Sequence, residues 1–418
     1  MDELAGRFVG VYVLKHMTWV EEWLLKWNSA KQDSIRMSFN RDVLRPDKVK
    51  PFLKREVCRS YPTKGRAIQA YANEVTSAFY GASFYAYTKA LVEACDVAPI
   101  SYGGIVFDLK IASGMNHEAI GQWMTDLPPG LLFYERDGKN WDSTMGSNHF
   151  ELVHQFLALC GDGLSRFRKA CENVRGHYSR KNVGFIRYKA IGTVKSGHQD
   201  TTGSNSLINL GCIVRAILNL ETKPTRVFII VNGDDCLAAG DFPCTATELL
   251  NAESDLGIVP EGALFRDPID TSFLSGTWYP KIGGGYAFGP KMGRLLRGLF
   301  WTTSAAALKD PIGWKSTVAR SFLEFWDENP IMSVFLRRNI TTSRVVVIEK
   351  WNKTHSKIAN VDWEYYFSAK YQLDTNQIDE IVTYLNRLPR VNICLANKAL
   401  RRIVELDLLD PAEREYVF

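Results

Sequence analysis

Apolar and polar positions along the chain follow two rhythms. Residues 65–95 (GRAIQAYANEVTSAFYGASFYAYTKALVEAC) read as helical, with Gly81 a point of interruption. Residues 148–160 place Phe150, Val153, Phe156 and Leu157 at helical spacing. TATELLNAESDLG (245–257) reads as a helix closed by Gly257, and a helix is expected to follow Thr201. Between these lie strand patterns. LLFYE (131–135) is a short apolar run, and GFIRYKAI (184–191) alternates like a half-exposed strand. Arg226–Val231 reads as a buried strand, Cys236–Ala239 as its return, and TSFLSGTWYP (271–280) and GGGYAFG (283–289) as short strands. Residues 1–60 mix aromatic with basic positions, and from about 305 onward helical patterns dominate. This order predicts an α+β core flanked by helical pieces rather than a doubly wound α/β sheet. No repeat or low-complexity linker interrupts it.

Composition narrows the class. A chain of 418 residues, 46% hydrophobic and 12% aromatic, holds a sizeable core and room for two or three subdomains. The formal charge of +5 permits a polyanionic partner without requiring one. The eight cysteines contain no CxxC pair and read as reduced, mostly buried thiols. MDELAGRFVG carries acids where a signal peptide has a basic segment and an apolar run. No run approaches the length of a membrane-spanning helix. A cytosolic protein is expected, touching membranes only peripherally or through a partner.

Three stretches carry candidate chemistry. In IIVNGDDCLA (229–238) two carboxylates, Asp234 and Asp235, sit at the tip of an apolar hairpin, after a Gly233 able to take positive φ. Adjacent like charges call for a neutralising partner, and hard oxygen ligands suit Mg²⁺. The alternative is a solvated Gly-Asp turn. In YERDGKNWDST (134–144) an apolar run ends at Asp137, and Asp137-Gly138 signals a turn that can bring Asp142 back to the same pocket. In KSGHQDTTGSNSLINL (195–210) Ser196-Gly197 begins a flexible loop, and Thr201 and Asn205 share a helical face. Taken singly, each stretch also reads as a turn, a cap or a glycine loop.

In their order, Asp137-x4-Asp142, Ser196-Gly197-x3-Thr201-x3-Asn205-Ser206 and Gly233-Asp234-Asp235 resemble motifs A, B and C of viral RNA-dependent RNA polymerases. The flanking residues resemble most the positive-strand RNA virus enzymes of tombusvirus-like and flavivirus-like groups, and double-stranded RNA virus enzymes carry similar patterns. The resemblance is close over about 130–290 and looser over 50–70. It implies a right-hand polymerase whose antiparallel palm sheet is backed by helices. Fingers would take 1–130 and an insert at 146–190, palm 131–145 and 191–290, and a helical thumb 291–418. Little room would remain for a methyltransferase or helicase domain.

By the same resemblance, the reaction is attack of an RNA 3′-hydroxyl on the α-phosphorus of an NTP, with pyrophosphate leaving. Two metals about 3.5–4 Å apart hold the attacking and leaving oxygens in such enzymes. Asp137 and Asp234 would be the principal ligands and Asp235 a supporting one, with Mg²⁺ the expected ion and Mn²⁺ able to substitute. Asp142 and Asn205, supported by Thr201, would check the ribose 2′-hydroxyl, and Ser196 and Gly197 would form a mobile loop. FLKREVCRSYPTKGRAI (52–68) resembles motif F, with Lys54, Arg55, Arg59, Lys64 and Arg66 meeting triphosphate and RNA. A solvated basic loop is the alternative there. Two features depart from the family. Residues 236–280 hold no lysine and Arg266 as their one basic residue, which leaves the identity of the motif D proton donor open, and FLSGTW (273–278) matches motif E loosely.

His149, His154, Cys160, Cys171 and His177 lack zinc-site spacing and read as core thiols and ordinary histidines. GGGYAFG is no dinucleotide fingerprint, and no Gly-Lys-Ser/Thr loop supports an ATPase or helicase. The expected partners are RNA template and product, NTPs, other viral replication proteins, and a host membrane through those partners. The expected location is a membrane-associated replication complex in the host cytoplasm. The rivals are a reverse transcriptase, against which Asp142 and Asn205 argue, and a non-catalytic RNA-binding viral protein, which gives the carboxylates at 137 and 234 no purpose.

Overall fold

The protein is seen in a computed structural model that describes residues 1–54, 67–180, 184–341, 358–388 and 397–409. In chain order the strands of the first half are β1 (Lys48–Leu53), β2 (Ala67–Tyr71), β3 (Ile100–Tyr102), β4 (Ile105–Ile111), β5 (Leu132–Gly138) and β6 (Asn173–Arg180). Then come β7 (Gly184–Ile191), β8 (Arg226–Asn232), β9 (Asp235–Gly240), β10 (Pro260–Phe265), β11 (Gly276–Pro280) and β12 (Tyr286–Pro290). The described residues form two compact units. One takes those within 1–54, 67–113 and 136–262, the other those within 114–135 and from 263 onward, so the division falls inside β5 and β10.

The first unit carries a four-stranded sheet, β2-β1-β6-β7, and a six-stranded sheet, β10-β5-β9-β8-β4-β3. The pairs β3/β4 and β8/β9 are antiparallel, but β4 and β8 run parallel, Val106 opposite Arg226 through Ile111 opposite Val231. The expected all-antiparallel sheet is therefore a mixed one. The physical reason is connection length, because β4 and β8 are separated by enough chain to make the crossover that a parallel pair requires.

The helix Glu74–Asp96 organises the core of this unit. It buries Val75, Phe84, Tyr87 and Leu91, each burial worth about 1.5–3 kcal/mol for an aliphatic or aromatic side chain. Phe8 from the N-terminal helix Asp2–Leu25 meets Tyr87 and Phe156 edge to face, at 5.7 and 5.4 Å. The expected helix over 65–95 begins only at Glu74, because Ala67–Tyr71 pairs with β1 instead. Gly81 does not interrupt it. The indole of Trp23 lies where a Cβ would stand, 2.6 Å away, so glycine here serves close packing. The helices at Ser147–Leu159 and Ala246–Ser254 stand where periodicity places them, and Gly257 takes φ +84 beyond the latter.

The second unit joins the hairpin β11/β12 to helices. Its core gathers Tyr279, Trp326, Tyr366, Tyr371, Phe335 and Ile403. Lys370, 2% exposed, donates to the Ile269 carbonyl at 2.6 Å and lies 3.6 Å from Asp270. Among the described residues no helix is long and apolar enough to cross a membrane. Among the described residues, the cysteines at 95, 160, 171, 212, 236 and 244 are free thiols.

Candidate active site

The β8/β9 hairpin is anchored by burial. Ile229, Ile230, Val231, Leu237, Ala238 and Ala239 have no exposed surface. Val231 pairs with Cys236 and Asn232 with Asp235, leaving Gly233 and Asp234 as a two-residue loop. Gly233 takes φ +65, the backbone state such a loop needs at its first position. Asp234 is exposed at the tip.

β5 ends beside it. Asp137 is exposed at the penultimate position of the strand, after the buried Arg136. Desolvation raises the Asp137 pKa above the ordinary carboxylate range, and the charge of Asp234 raises it further, against the pull of the Gly138 N–H and Arg136. The two carboxylates therefore sense each other, which suits a shared cation. Among the described residues no group of three or more His, Cys, Asp or Glu side chains is placed to hold a metal ion, so Asp235 does not complete a cluster with them. Two carboxylates nevertheless fit Mg²⁺, which takes one or two protein carboxylates and completes its shell with water and substrate phosphates.

The expected turn after Asp137 comes at Asn140, which takes φ +52. The short helix Trp141–Thr144 then carries Asp142 back toward the loop at 192–200, where the Val194 N–H donates to the Asp142 carbonyl at 2.9 Å. The Ser196 hydroxyl donates to one carboxylate oxygen of Asp142, and Asn205 Nδ2 donates to the other at 3.1 Å. Two residues chosen from sequence thus converge on the carboxylate of a third. Gly197 takes φ +99, and a Cβ there would meet Ile68 Cγ2 at 2.4 Å. The loop is tied to β2 through the Gln69 N–H, which donates to the Ser196 carbonyl at 2.8 Å. Thr201 does not reach Asp142. Its hydroxyl donates to the His198 carbonyl at 2.8 Å and closes the loop on itself. Lys54 follows β1 and is exposed, whereas Arg55, Arg59, Lys64 and Arg66 lie outside the described residues.

Two supporting networks escaped the sequence reading. In one, Arg136, 1% exposed, reaches Glu253 through Nε at 3.0 Å, the Asp234 carbonyl through Nη1 at 3.2 Å, and Asn209 Oδ1 through Nη2. Asn209 Nδ2 donates to the carbonyls of Gly233 and Asp235 at 3.0 and 3.2 Å, and Ser206 Oγ accepts from the Gly233 N–H at 2.8 Å. The backbone of the hairpin tip is thereby held from β5 and from the buried helix Thr201–Asn219. A signal was present, since Asn209 continues the four-residue spacing of Thr201 and Asn205.

In the other network, Arg168 Nε pairs with the buried Asp200 at 2.6 Å, and Ser204 Oγ donates to the same carboxylate oxygen at 3.0 Å. Burial alone would raise the Asp200 pKa, but Arg168, His198 and Ser204 together hold it below the ordinary value. Burial lowers Lys195 to about 8, with Arg168 adding to the effect. Its Nζ donates to the carbonyls of Glu172, Gly192 and Thr193. Burial also lowers His198, stacked on Tyr71 at 4.2 Å, to about 4. The histidines set aside as zinc ligands have ordinary partners. His149 accepts from the Gly146 N–H and bonds the Leu256 carbonyl, and His154 pairs with Glu172.

Residues 124–259 match the family model of the viral RNA-directed RNA-polymerase. The matched stretch is about a third of the chain and contains Asp137, Asp142, Ser196, Asn205 and Asp234. It supports an RNA-directed RNA polymerase of viral type, a class that uses an RNA template and NTPs. No curated protein matches the chain.

Proposed function

We propose that this chain is the nucleotidyltransferase of a viral replication machinery, extending an RNA 3′ end on an RNA template to copy a viral genome. The observation that carries the reading is the convergence of Ser196 and Asn205 on Asp142, five residues beyond an Asp137 that senses Asp234. In this reading 131–145 and 191–290 form the palm of a right hand, with fingers and a helical thumb on either side in sequence.

Asp137 and Asp234 would hold Mg²⁺, with Mn²⁺ able to substitute and Asp235 acting nearby. When bound, the ion supplies positive charge to the oxygens of the reacting phosphate. The chain's own residues position the rest. Arg136, Ser206 and Asn209 fix the backbone of the tip, so the Asp234 carboxylate projects from a rigid base. Asp142, oriented by Ser196 and Asn205, presents hydrogen-bonding groups suited to a ribose 2′-hydroxyl. A deoxynucleotide would leave such a polar site unpaired, which favours NTP over dNTP.

The test is incorporation of labelled NTP against dNTP on an RNA template by the unmodified protein and by Asn205→Ala. The unmodified protein should prefer NTP, and the variant should lose about tenfold of that preference, the equivalent of one hydrogen bond. Preference for dNTP by the unmodified protein would favour a reverse transcriptase and overturn the proposal.

A further inference from the structure

The turn that leaves β7 carries two successive residues at positive φ, Gly192 at +70 and Thr193 at +27. For a β-branched threonine that state is an outlier, and it persists only where the surroundings hold it. Lys195 holds it. The residue is 3% exposed, and its Nζ donates to the Gly192 and Thr193 carbonyls at 2.7 Å each. A third bond, 3.0 Å long, reaches the carbonyl of Glu172, the last residue of the helix Asp162–Glu172. That carbonyl has no partner within its helix, and the negative end of the helix dipole suits a cation there.

The clamp lies between the two points at which this segment grips Asp142. Val194, one residue before Lys195, gives its N–H to the Asp142 carbonyl, and Ser196, one residue after, gives its hydroxyl to the carboxylate. The Lys195 carbonyl in turn accepts the His198 N–H at 3.0 Å. A lysine that only filled a gap would be a poor choice, because a desolvated ammonium is expensive and an apolar side chain is not. Three converging carbonyls, two of them from a strained turn, give the charge a purpose. We propose that Lys195 is the positioning residue of the ribose site, shaping the 192–198 loop so that Val194 and Ser196 hold Asp142 in place. The inference rests on the polymerase reading for the ribose, and on the hydrogen bonds alone for the loop.

Lys195 faces Arg168, Cys171 and Glu172 on the helix Asp162–Glu172, and His198 and Asp200 on the loop. Behind these, Tyr71 on β2 stacks on His198, and His154 pairs with Glu172. Burial, and then Arg168, lowers Lys195 to about 8. Burial lowers His198 to about 4 and raises Cys171 and Tyr71 well above their ordinary values. Against burial, the attraction between Arg168 and Asp200 holds the cation up and the carboxylate down. These five neighbours therefore keep one charge state between pH ~7 and ~9.5, while Lys195 gives a proton to solvent. The neutral amine has two N–H groups for three carbonyls, so the clamp loosens as pH rises through about 8.

The test is the ratio of kcat/KM for NTP to that for dNTP on a primed RNA template, from pH ~7 to ~9.5, for the unmodified protein and Lys195→Met. The ratio cancels pH effects shared by both nucleotides. For the unmodified protein it should fall about tenfold as Lys195 deprotonates, the equivalent of one hydrogen bond lost around Asp142. In Lys195→Met it should be low already at pH ~7 and level throughout. Hydrogen exchange across 192–198, measured without nucleotide and relative to intrinsic rates, should follow the same pattern. A ratio that stays level in the unmodified protein, or that falls equally in both proteins, would overturn the proposal. A full ratio in a folded Lys195→Met would overturn it too. The pH series on the unmodified protein stands even if the variant does not fold. If the protein incorporates neither nucleotide, the polymerase reading fails and exchange alone decides. Protection lost above pH ~8 only where Lys195 is present supports the clamp, and protection indifferent to pH overturns it.

Discussion

Arg136 offers the sharpest test of how the hairpin tip is held. Its guanidinium and the Glu253 carboxylate both have side chains with no exposed surface and meet at 3.0 Å. Replacing Arg136 by Met keeps the length of the side chain but strips the cation from a buried carboxylate. Breaking a buried pair in this way costs about 3–5 kcal/mol, a large part of the stability of an ordinary domain. Replacing both residues, Arg136→Met with Glu253→Leu, removes the stranded charge, and such replacements are often neutral or stabilising. The double variant should therefore recover most of the lost stability in urea unfolding. Incorporation should not recover, because the Arg136 hydrogen bonds to the Asp234 carbonyl and to Asn209 are still lost. Loss of that support should lower turnover by ~10- to 100-fold, the usual consequence of a small misplacement in a reaction governed by positioning. The assay pairs denaturant midpoints with single-nucleotide extension on a primed RNA template. If activity returned in step with stability in the double variant, Arg136 would be structural only and the role given to it here would be refuted.

Other perturbations follow from the same geometry. Gly197→Ala should destabilise by more than ~1 kcal/mol, since φ +99 and Ile68 Cγ2 at 2.4 Å both oppose a Cβ, and the thermal midpoint reads it directly. The His198 pKa in the fold, about 4, lies below its ordinary value of 6.5, so the neutral ring is favoured when folded. Stability should be full above pH 6.5 and fall as pH drops toward 4, by on the order of 3 kcal/mol at most, and His198→Phe should flatten that slope. Asp200 is depressed by Arg168, so its contribution is present above the ordinary carboxylate pKa and lost as pH falls through the lower folded value. Asp200→Asn should remove that acid-side dependence, which unfolding at pH 2–5 would show.

Much of this site was legible because its residues obey local rules. Gly233-Asp234 between two apolar runs announces a hairpin, and Thr201 with Asn205 announces one helical face. Asp142 and Asn205 were expected to act together, with Thr201 in support, and they do bond; Ser196, expected only as part of a mobile loop, also bonds Asp142, while Thr201 turns to the loop instead. Arg136 went unread because a cation beside Asp137 at a strand end looks like a solvated charge, and only tertiary packing places Glu253 over it. The parallel β4/β8 pair is equally invisible locally, since parallel and antiparallel neighbours leave the same apolar runs. The helix Asp2–Leu25 was missed because Val13, Leu14 and Met17 are exposed and blur its apolar stripe. GFIRYKAI was read as half-buried, whereas both of its faces are largely open to solvent.

The central claim is that Asp137 and Asp234 serve template-directed nucleotide addition. The most direct measurement is incorporation of labelled NTP on a homopolymeric RNA template with Mg²⁺ or Mn²⁺, with and without primer, by the unmodified protein beside Asp234→Asn. The account predicts ribose-selective, template-dependent product that disappears in the variant while its fold and RNA binding persist. Equal product from the folded variant, or none from an unmodified protein that binds RNA under every condition, would contradict it.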